Sequence, residues 1–521
     1  MQPANRPVKH AEMYGRVGWP LTMALAVVSL IPLAVFLSNP WQPLLEHHAF
    51  RQTQTAIAAY WIMHGGAFLR YLTPIVGTPW TLPMELPLFQ KLAAELSSHT
   101  GLPLDFTGRL LSLTFFYATC APIFLCLRHY GWPAVAIAIV LLLTGPTGLF
   151  FSRAFLIENL ATFLSLSALC IYIGFIRTGK PIYLWAFILV GGIAGLQKIT
   201  TFLPVAVVCG FDSATQQIRS MRHGSQDSLN LYPPASVALA MILPVAWALY
   251  SDAVKQEGTL SAFMTSSALQ AWNFGTLAQR LDIGCWQQIF FNRILLLGGF
   301  VLIPPISLYA AIRKQALLNR EALLFLLTGL LGPLMFFNLH FVHDYYQVGI
   351  LAFLACATAM IISPLLASTA RQPPALFAIL IAIIAANMGI FYINYSPMLH
   401  RVPVQEAISY EVGNFLESHQ ARDDVTVIVG QDWNSITPYY SQRYALMVPS
   451  FLSPTVRSKI INDPGSQIGT RHIGAVVYCL TDNIPFAQAQ AESIRLFSLI
   501  DGPMVNIAHC RIKYRQPRSH I

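Results

Sequence analysis

Charged side chains are scarce in this chain: Asp, Glu, Lys and Arg together make up 11% of its 521 residues, against about 25% in an ordinary soluble domain. So few charges cannot coat a water-facing surface, and a purely soluble globule is excluded. Acids are the scarcer sign, 23 against 32 Lys plus Arg, for a net charge of +9. The basic excess sits in short loops between apolar segments. That placement suits anionic lipid headgroups and not nucleic acid, so membrane lipid is an expected partner and nucleic acid is not. The eight cysteines contain no CxxC pair and no metal-ligand spacing. Cys120, Cys126, Cys170, Cys209 and Cys356 lie in apolar stretches and read as small buried hydrophobes. Cys479 and Cys510 lie in a polar tail and can pair if that tail faces an oxidising compartment. No internal repeat of the transporter kind is present. A small-x-small cleavage site is also lacking after the N-terminal apolar stretch, which runs to Leu37 and reads as a retained first span.

What the chain has in abundance is apolar sequence, 55% of residues. Eleven segments are apolar enough to cross a bilayer: 18–37, 107–127, 132–151, 155–176, 182–196, 199–211, 235–250, 291–312, 321–338, 346–367 and 374–394. The pair 182–196 and 199–211 is short and reads either as two spans or as one long broken helix. With the N-terminus (Arg6, Lys9, Arg16) inside, the five internal loops carry Arg128; Arg177 and Lys180; Arg219 and Arg222; Arg313, Lys314 and Arg320; and Arg371. This is the positive-inside pattern repeated at every internal loop. Three long pieces then face outward: 38–106, 251–290, and a tail from about 395. The tail holds a helical stretch near 403–418 and β-like runs Val425–Val429, Ala445–Val448, Ala475–Leu480 and Val505–Tyr514. That alternation predicts a small extracytoplasmic α/β domain over 395–521, following a transmembrane domain over 1–394.

Residues with chemical potential gather on the outward side. The first loop opens with Glu46-His47-His48-Ala49-Phe50-Arg51-Gln52, continues into a helical run Ala56–His64, and later carries Pro83-Met84-Glu85-Leu86-Pro87. A general base needs a carboxylate or imidazole on a short rigid element, and Glu46, His48 and Glu85 qualify. Each alone is also readable as a solvated loop residue. Arg153 and Glu158 stand at the outer end of the third and fourth spans, Lys198 at the outer turn between the fifth and sixth, and His340, His343, Asp344, Tyr345 and Tyr346 at the outer junction of the ninth and tenth. Lys and Arg at such places can snorkel to the interface, but a short Asp or Glu beside hydrocarbon calls for a partner. A shared polar cavity that handles a lipid-borne phosphate accounts for all of them. There Lys198 and Arg153 would meet developing negative charge, and Glu46, His48, Glu85 or Glu158 would serve as base. His340 and His343 are three residues apart and could hold a divalent metal, although no third ligand is evident and hydrogen bonding to substrate fits as well. The Asp432-Trp433-Asn434 segment reads as a structural turn, with sugar stacking as the other reading.

In order along the chain, these parts resemble the GT-C membrane glycosyltransferases. The resemblance is to the family 39-like group that includes protein O-mannosyltransferases and the lipid A aminoarabinose transferase. It rests on His48-x-Phe50-Arg51-Gln52-Thr53-Gln54-Thr55, Glu85-Leu86-Pro87-Leu88, the Arg153/Glu158 pair, the Gly195-x-x-Lys198 turn, His343-Asp344-Tyr345-Tyr346 and the external C-terminal domain. It implies transfer of a sugar from a polyprenyl-phosphate donor to a glycan, lipid or protein acceptor on the outer face of a bacterial inner membrane. An acid of the first loop is then the expected base, and Lys198 lies near the lipid phosphate. Arg51, Gln52, Arg153, His340, His343, Asp344 and Tyr345 fall on the substrate-binding side of the same comparison. The family's usual Asp-Glu pair is absent, and counting back from Gly65-Gly66 places it nearer Arg51 and Gln52 than Glu46. A transporter or flippase, or a ligase of lipid-linked glycans, is the rival reading. The near absence of charge in the middle of the spans argues against a transporter.

The topology has a direct consequence. Cysteines placed singly at Glu46, Glu85, His343 and Asp432 should label with an impermeant thiol reagent in intact spheroplasts. Cysteines at Lys180 and Lys314 should not, and equal labelling of both sets would contradict the orientation.

Overall fold

The computed structural model describes residues 19–222, 231–306, 319–367, 372–480 and 485–516. Arg6, Lys9, Arg16, Arg313, Lys314 and Arg371, used above for orientation, lie outside the described residues. Among the described residues, six helices are long and apolar enough to cross a membrane: Trp19–Leu37, Leu104–Tyr130, Glu158–Thr178, Tyr232–Gln256, Asp344–Pro364 and Pro374–Asn394. Trp132–Thr144 and Ile182–Gln197 are shorter apolar helices.

The chain divides into two compact units. The first comprises Met1–Pro40, Arg109–Trp247 and Gln270–Leu399. It is helical, and its core is a continuous apolar cluster that runs from Leu21 through Ile137, Leu169 and Phe202 to Phe353 and Ile383. Lipid offers no hydrophobic drive between helices, so close approach of small residues matters. A Cβ on Gly195 would lie 2.4 Å from Pro244 Cγ, and one on Gly329 would lie 2.5 Å from Leu354 Cδ2. The expected span 132–151 breaks at Gly145-Pro146 into Trp132–Thr144 and Pro146–Phe151. The segment 182–211 breaks at Lys198, which is extended (φ −162°, ψ 99°) between helices Ile182–Gln197 and Ile199–Arg222. Three β-branched residues, Ile199, Thr200 and Thr201, begin the second helix.

The second unit comprises Trp41–Gly108, Ala248–Leu269 and His400–Ile521. Its centre is a five-stranded sheet of β1 (Val425–Val429), β2 (Tyr444–Val448), β3 (Ile473–Cys479), β4 (Met504–Ile507) and β5 (Cys510–Tyr514), in the order β2-β1-β3-β5-β4. The pairs of β1 with β2 and with β3 are parallel, whereas β5 runs antiparallel to β3 and to β4. Every residue of β1 is buried, as the unbroken run Val-Thr-Val-Ile-Val requires of a central parallel strand. The predicted single run Val505–Tyr514 is instead a hairpin, turning at Ala508 (φ 49°) and His509. The turn lacks the Asn-Gly or Asp-Gly signal that would have revealed it. Cys479 and Cys510 are register partners on β3 and β5 and form a disulfide. The first-loop segment covers the exposed edge of β2: Ala445 N–H donates to Pro74 O (2.9 Å) and Met447 N–H to Ile75 O (3.0 Å). Such cover removes a site for edge-to-edge association. Asp105 accepts from the hydroxyls of Tyr439 (2.5 Å) and Tyr440 (2.9 Å), fastening the loop to the helix Ile436–Ser441.

Behind β2, Arg457 of helix Pro454–Asn462 pairs bidentately with Glu492 of helix Phe486–Phe497, at 3.0 and 2.7 Å. Glu492 also accepts from Gln488 (2.8 Å) and the Tyr478 hydroxyl (2.9 Å). Burial pushes the Glu492 carboxyl up, but these donors, Arg457 foremost, outweigh it and hold the group below its ordinary value. A group depressed in the folded state stabilises fully above its unfolded value and loses that contribution as pH falls through its folded value. Arg457→Met should strand Glu492 and cost about 3–5 kcal/mol. Hydrogen exchange of the full chain should then quicken in β2 and β3, while Arg457→Met/Glu492→Leu recovers most of the protection.

Candidate functional site

In the first unit, the break at Lys198 carries its side chain among an acid and two aromatic rings at helix ends. Lys198 Nζ lies 2.5 Å from Glu158 Oε1, with side-chain exposures of 8% and 1%. Glu158 opens the helix Glu158–Thr178, where the helix dipole favours a negative charge. The second carboxylate oxygen of Glu158 is buried and has no hydrogen-bond partner among the described residues. The ammonium also stands over the rings of Tyr346 and Tyr345, at 4.2 and 5.7 Å from their centroids. Both tyrosines lie in the short turn Asp344–Gln347. The His343 ring stacks on Tyr345 at 5.1 Å and 22°. The expected residues Glu158, Lys198, His343 and Tyr345 are therefore brought together from three separate junctions.

Asp344, in the same turn, and His340, in the preceding helix Phe337–Val342, serve different partners. Asp344 Oδ2 accepts from the Tyr395 hydroxyl at 3.0 Å, and that hydroxyl lies 3.0 Å from Thr147 Oγ1. His340 is buried, with its Nδ1 at 3.3 Å from Gln347 Oε1, while Gln347 Nε2 donates to its carbonyl at 3.1 Å. Burial, with the charges of Lys198 and Arg293 adding to it, pushes the His340 ring down to about 3. The imidazole is thus neutral near pH 7. Among the described residues no third donor joins His340 or His343 at metal-binding distance. Arg153 is buried and donates to Asn39 O at 3.4 Å.

Reasoning from sequence missed Arg293, Gln347, Tyr395 and Gln197 as parts of this region. Arg293 caps the chain by donating to the carbonyls of His340 (2.8 Å) and Val342 (3.1 Å). Gln197 is fully buried, and neither its amide oxygen nor its nitrogen finds a partner among the described residues. An Arg and a Gln at the edges of apolar segments were the only signal available.

In the second unit, the first loop forms the helix Ala49–Met63, longer at its start than the predicted Ala56–His64. The polar run that hid this start is buried: Gln52, Thr53, Gln54 and Thr55 are at most 6% exposed. Their groups are satisfied locally, Thr53 and Thr55 by the carbonyls of Ala49 and Arg51, and Gln54 by Arg51 Nη1. Gln52 Nε2 donates to His47 O at 3.3 Å. His48 precedes the helix in a left-handed conformation, φ 59°, which a non-glycine residue rarely adopts without a constraint. Its ring lies 4.0 Å from that of His47. Glu46 is 4% exposed. Two expected residues meet across the loop: Arg51 Nη2 lies 3.5 Å from Glu85 Oε2, and Gln90 Nε2 donates to Glu85 Oε1 at 2.8 Å. Tyr71 fixes this stretch by accepting from Met84 N–H (2.8 Å) and donating to Glu85 O (3.2 Å). Its phenol is held well above the usual range, by burial first and the Glu85 charge second.

No protein-family model matches the chain, and no curated protein matches it. Solved structures do. ArnT from Cupriavidus metallidurans bound to undecaprenyl phosphate aligns with a TM-score of 0.63 at 14% identity, over 96% of this chain and 98% of that one. Its apo state gives 0.61 at 12% identity, over 94% and 98%. The archaeal oligosaccharyltransferase AglB from Archaeoglobus fulgidus, in complex with an inhibitory peptide and a dolichol-phosphate, gives 0.55 at 11%, over 96% of this chain and 75% of that one. The likeness establishes the expected GT-C fold.

The buried pair makes a stability prediction independent of function. Glu158→Ala leaves the Lys198 charge uncompensated and should cost about 3–5 kcal/mol. Glu158→Ala/Lys198→Met should be milder than Glu158→Ala in thermal unfolding of the detergent-solubilised chain, and a double loss equal to the sum of the singles would show that the two do not interact.

Proposed function

We propose that this chain is a glycosyltransferase that moves a sugar from a polyprenyl-phosphate donor to an acceptor on the extracytoplasmic face of the membrane. The observation that carries the reading is the half-satisfied Glu158–Lys198 pair: a buried cation, held in place by a carboxylate and two tyrosine rings, with an unpartnered acid oxygen beside it. It occurs in a GT-C fold, and the ArnT structure of that fold contains undecaprenyl phosphate. Cations placed where charge develops on a leaving phosphate are a large source of rate enhancement. The outward orientation is supported by the Cys479–Cys510 disulfide, a bond that persists in oxidising compartments.

The reading assigns the donor phosphate to Lys198, with His343 and Tyr345 beside it. It assigns the acceptor proton to Glu46. Both oxygens of Glu85 already accept hydrogen bonds, from Arg51 and Gln90, so Glu85 better suits a positioning role that orients Arg51. Glu158 meets Lys198 through one oxygen and so suits the role of holding that cation in place. Glu46 is buried, two residues before the left-handed His48, so its position is set by a rigid turn. Arg51 and Gln52 of the second unit, and Arg153, His340 and Asp344 of the first, are the remaining residues assigned to substrate binding.

Lys198→Ala should weaken binding of undecaprenyl phosphate to the full chain in nanodiscs, and Lys198→Arg should keep part of it, since the charge survives while the geometry changes. Undiminished binding by Lys198→Ala would refute the assignment. Glu46→Gln should lower turnover by about 10²–10⁴ with donor binding unchanged. Glu85→Gln should show a smaller loss shared between kcat and KM. Should Glu46→Gln and Glu158→Gln both turn over normally, the base is not among them, and a rate rising with pH near 6.5 would point to His48 instead.

A further inference from the structure

We propose that Trp433, Phe451 and Phe263 form a carbohydrate-binding platform on the second unit, so that the acceptor is a glycan or a glycan-bearing molecule. This rests on the glycosyltransferase reading and adds the acceptor class to it.

The platform stands where an α/β sheet presents ligands. The strands β1 and β2 are parallel, so the loops that follow them leave the same edge of the sheet. The chain runs from β1 to β2 on one side and then returns to β3 on the other. Open α/β sheets bind ligands outside the carboxyl ends of their strands; the switch point itself falls between β1 and β3, and the loops after β1 and β2 stand at that same carboxyl edge. The loop after β1 turns at Gly430 (φ +88°), where any Cβ would fall 2.0 Å from Cys479 O. It turns again at Asp432, also left-handed at φ 49°. These turns present Trp433. The loop after β2 presents Phe451, which is 55% exposed. Phe263 arrives from the 248–269 segment and stands between them, its ring centroid 5.9 Å from Trp433 and 5.5 Å from Phe451, both edge-to-face.

The two loops are locked together before any ligand arrives. Asp432 Oδ1 accepts the Ser450 N–H at 2.7 Å. From below, Arg457 Nη1 donates to the carbonyls of Val448 (3.4 Å) and Pro449 (3.2 Å) while its other nitrogens hold Glu492. A platform built this way spends little ordering entropy on binding.

Its polar rim fits a sugar. Asn434 Oδ1 is used by Ile436 N–H at 3.1 Å. Among the described residues, Asp432 Oδ2, Asn434 Nδ2 and the Trp433 indole Nε1 have no hydrogen-bond partner within the protein. One acceptor and two donors therefore flank an exposed ring, Phe451, and two half-buried ones, Trp433 and Phe263. A pyranose offers an apolar C–H face to stack on a ring and adjacent hydroxyls that both donate and accept, so it matches each of these groups. An anionic lipid surface does not, because the Asp432 carboxylate would repel its headgroups.

The test uses the full chain in nanodiscs on an array of immobilised hexose and N-acetylhexosamine oligosaccharides, with undecaprenyl phosphate binding measured separately. At least one oligosaccharide should be retained. Trp433→Ala and Phe451→Ala should each weaken that retention about tenfold, Trp433→Phe should keep most of it, and undecaprenyl phosphate affinity should not change. Retention of none, or equal retention by parent and both alanine variants, would overturn the platform. So would quenching of a fluorophore attached through Phe451→Cys by lipids with brominated acyl chains, which would place the patch in the bilayer. Oligosaccharide binding that depends on Trp433, in a chain that binds no undecaprenyl phosphate, would uphold the platform and remove the polyprenyl-phosphate reading instead.

Discussion

Hydrocarbon offers no hydrogen bonds, so every backbone N–H and C=O of a spanning segment must be satisfied within the protein. In this chain that constraint explains where the polar residues are. Continuous helices such as Glu158–Thr178 satisfy their own backbone, and the difficulty arises where a helix stops. It stops at Gly145-Pro146, at Lys198 and at Phe336 to His343. At the first and third of these, polar side chains take up the loose ends. Thr147 donates twice to Leu297 O, through N–H (2.9 Å) and Oγ1 (3.0 Å). Arg293 holds two carbonyls of the His340–Val342 stretch, and Gln347 holds His340 O. Polar chemistry at the junctions is thus first a requirement of the fold. What exceeds the requirement, as at Glu158, Gln197 and Lys198, is what invites a functional reading.

The same constraint governs how much could be read from sequence. Apolar runs are long-range only in the sense of bilayer thickness, so the spanning helices Trp19–Leu37, Glu158–Thr178 and Pro374–Asn394 were visible directly, as was the break at Lys198 as one of two readings. The central strand β1 was legible because a strand buried on both faces has no polar residue to blur it. The hairpin β4–β5 was not, because its turn is held by Ala508 in a conformation that alanine does not advertise. Nor was the burial of Gln52 to Thr55, which looks like a solvated loop until the carbonyls that satisfy it are in place. Among the candidate residues, their types and junctions were legible, but pairings were not. The meeting of Arg51 with Glu85 spans 34 residues and that of Lys198 with Glu158 spans 40, and nothing in a single sequence encodes separation of that kind. The joining of residues 41–108 with the tail in one compact unit was hidden for the same reason, since bonds such as Ala445 to Pro74 cross hundreds of residues.

The helix Glu158–Thr178 shows how a structural pair differs from one with capacity to spare. It carries an ion pair at each end, with signs that suit the helix dipole: an acid in its first turn and Arg177 in its last. At the far end, Arg177 meets both oxygens of Glu321, at 2.9 Å through Nε and again through Nη2, and the Tyr130 hydroxyl donates to the same carboxylate at 2.8 Å. Next to it, Arg320 grips Asp212 with two bonds, 2.9 and 2.7 Å, and Tyr172 adds a third at 2.8 Å. Those acids have every oxygen occupied, as a buried charge must if it serves only to fasten helices. At the near end, Glu158 is more deeply buried, yet one of its oxygens has no hydrogen-bond partner among the described residues. A buried polar atom without a partner costs about 1–3 kcal/mol, and a chain that satisfies the far end so fully has the means to satisfy the near one. Leaving Glu158 half-bonded is therefore a cost taken at one end of a single helix and avoided at the other, and the residues facing that end are the ones to which the chemistry is assigned.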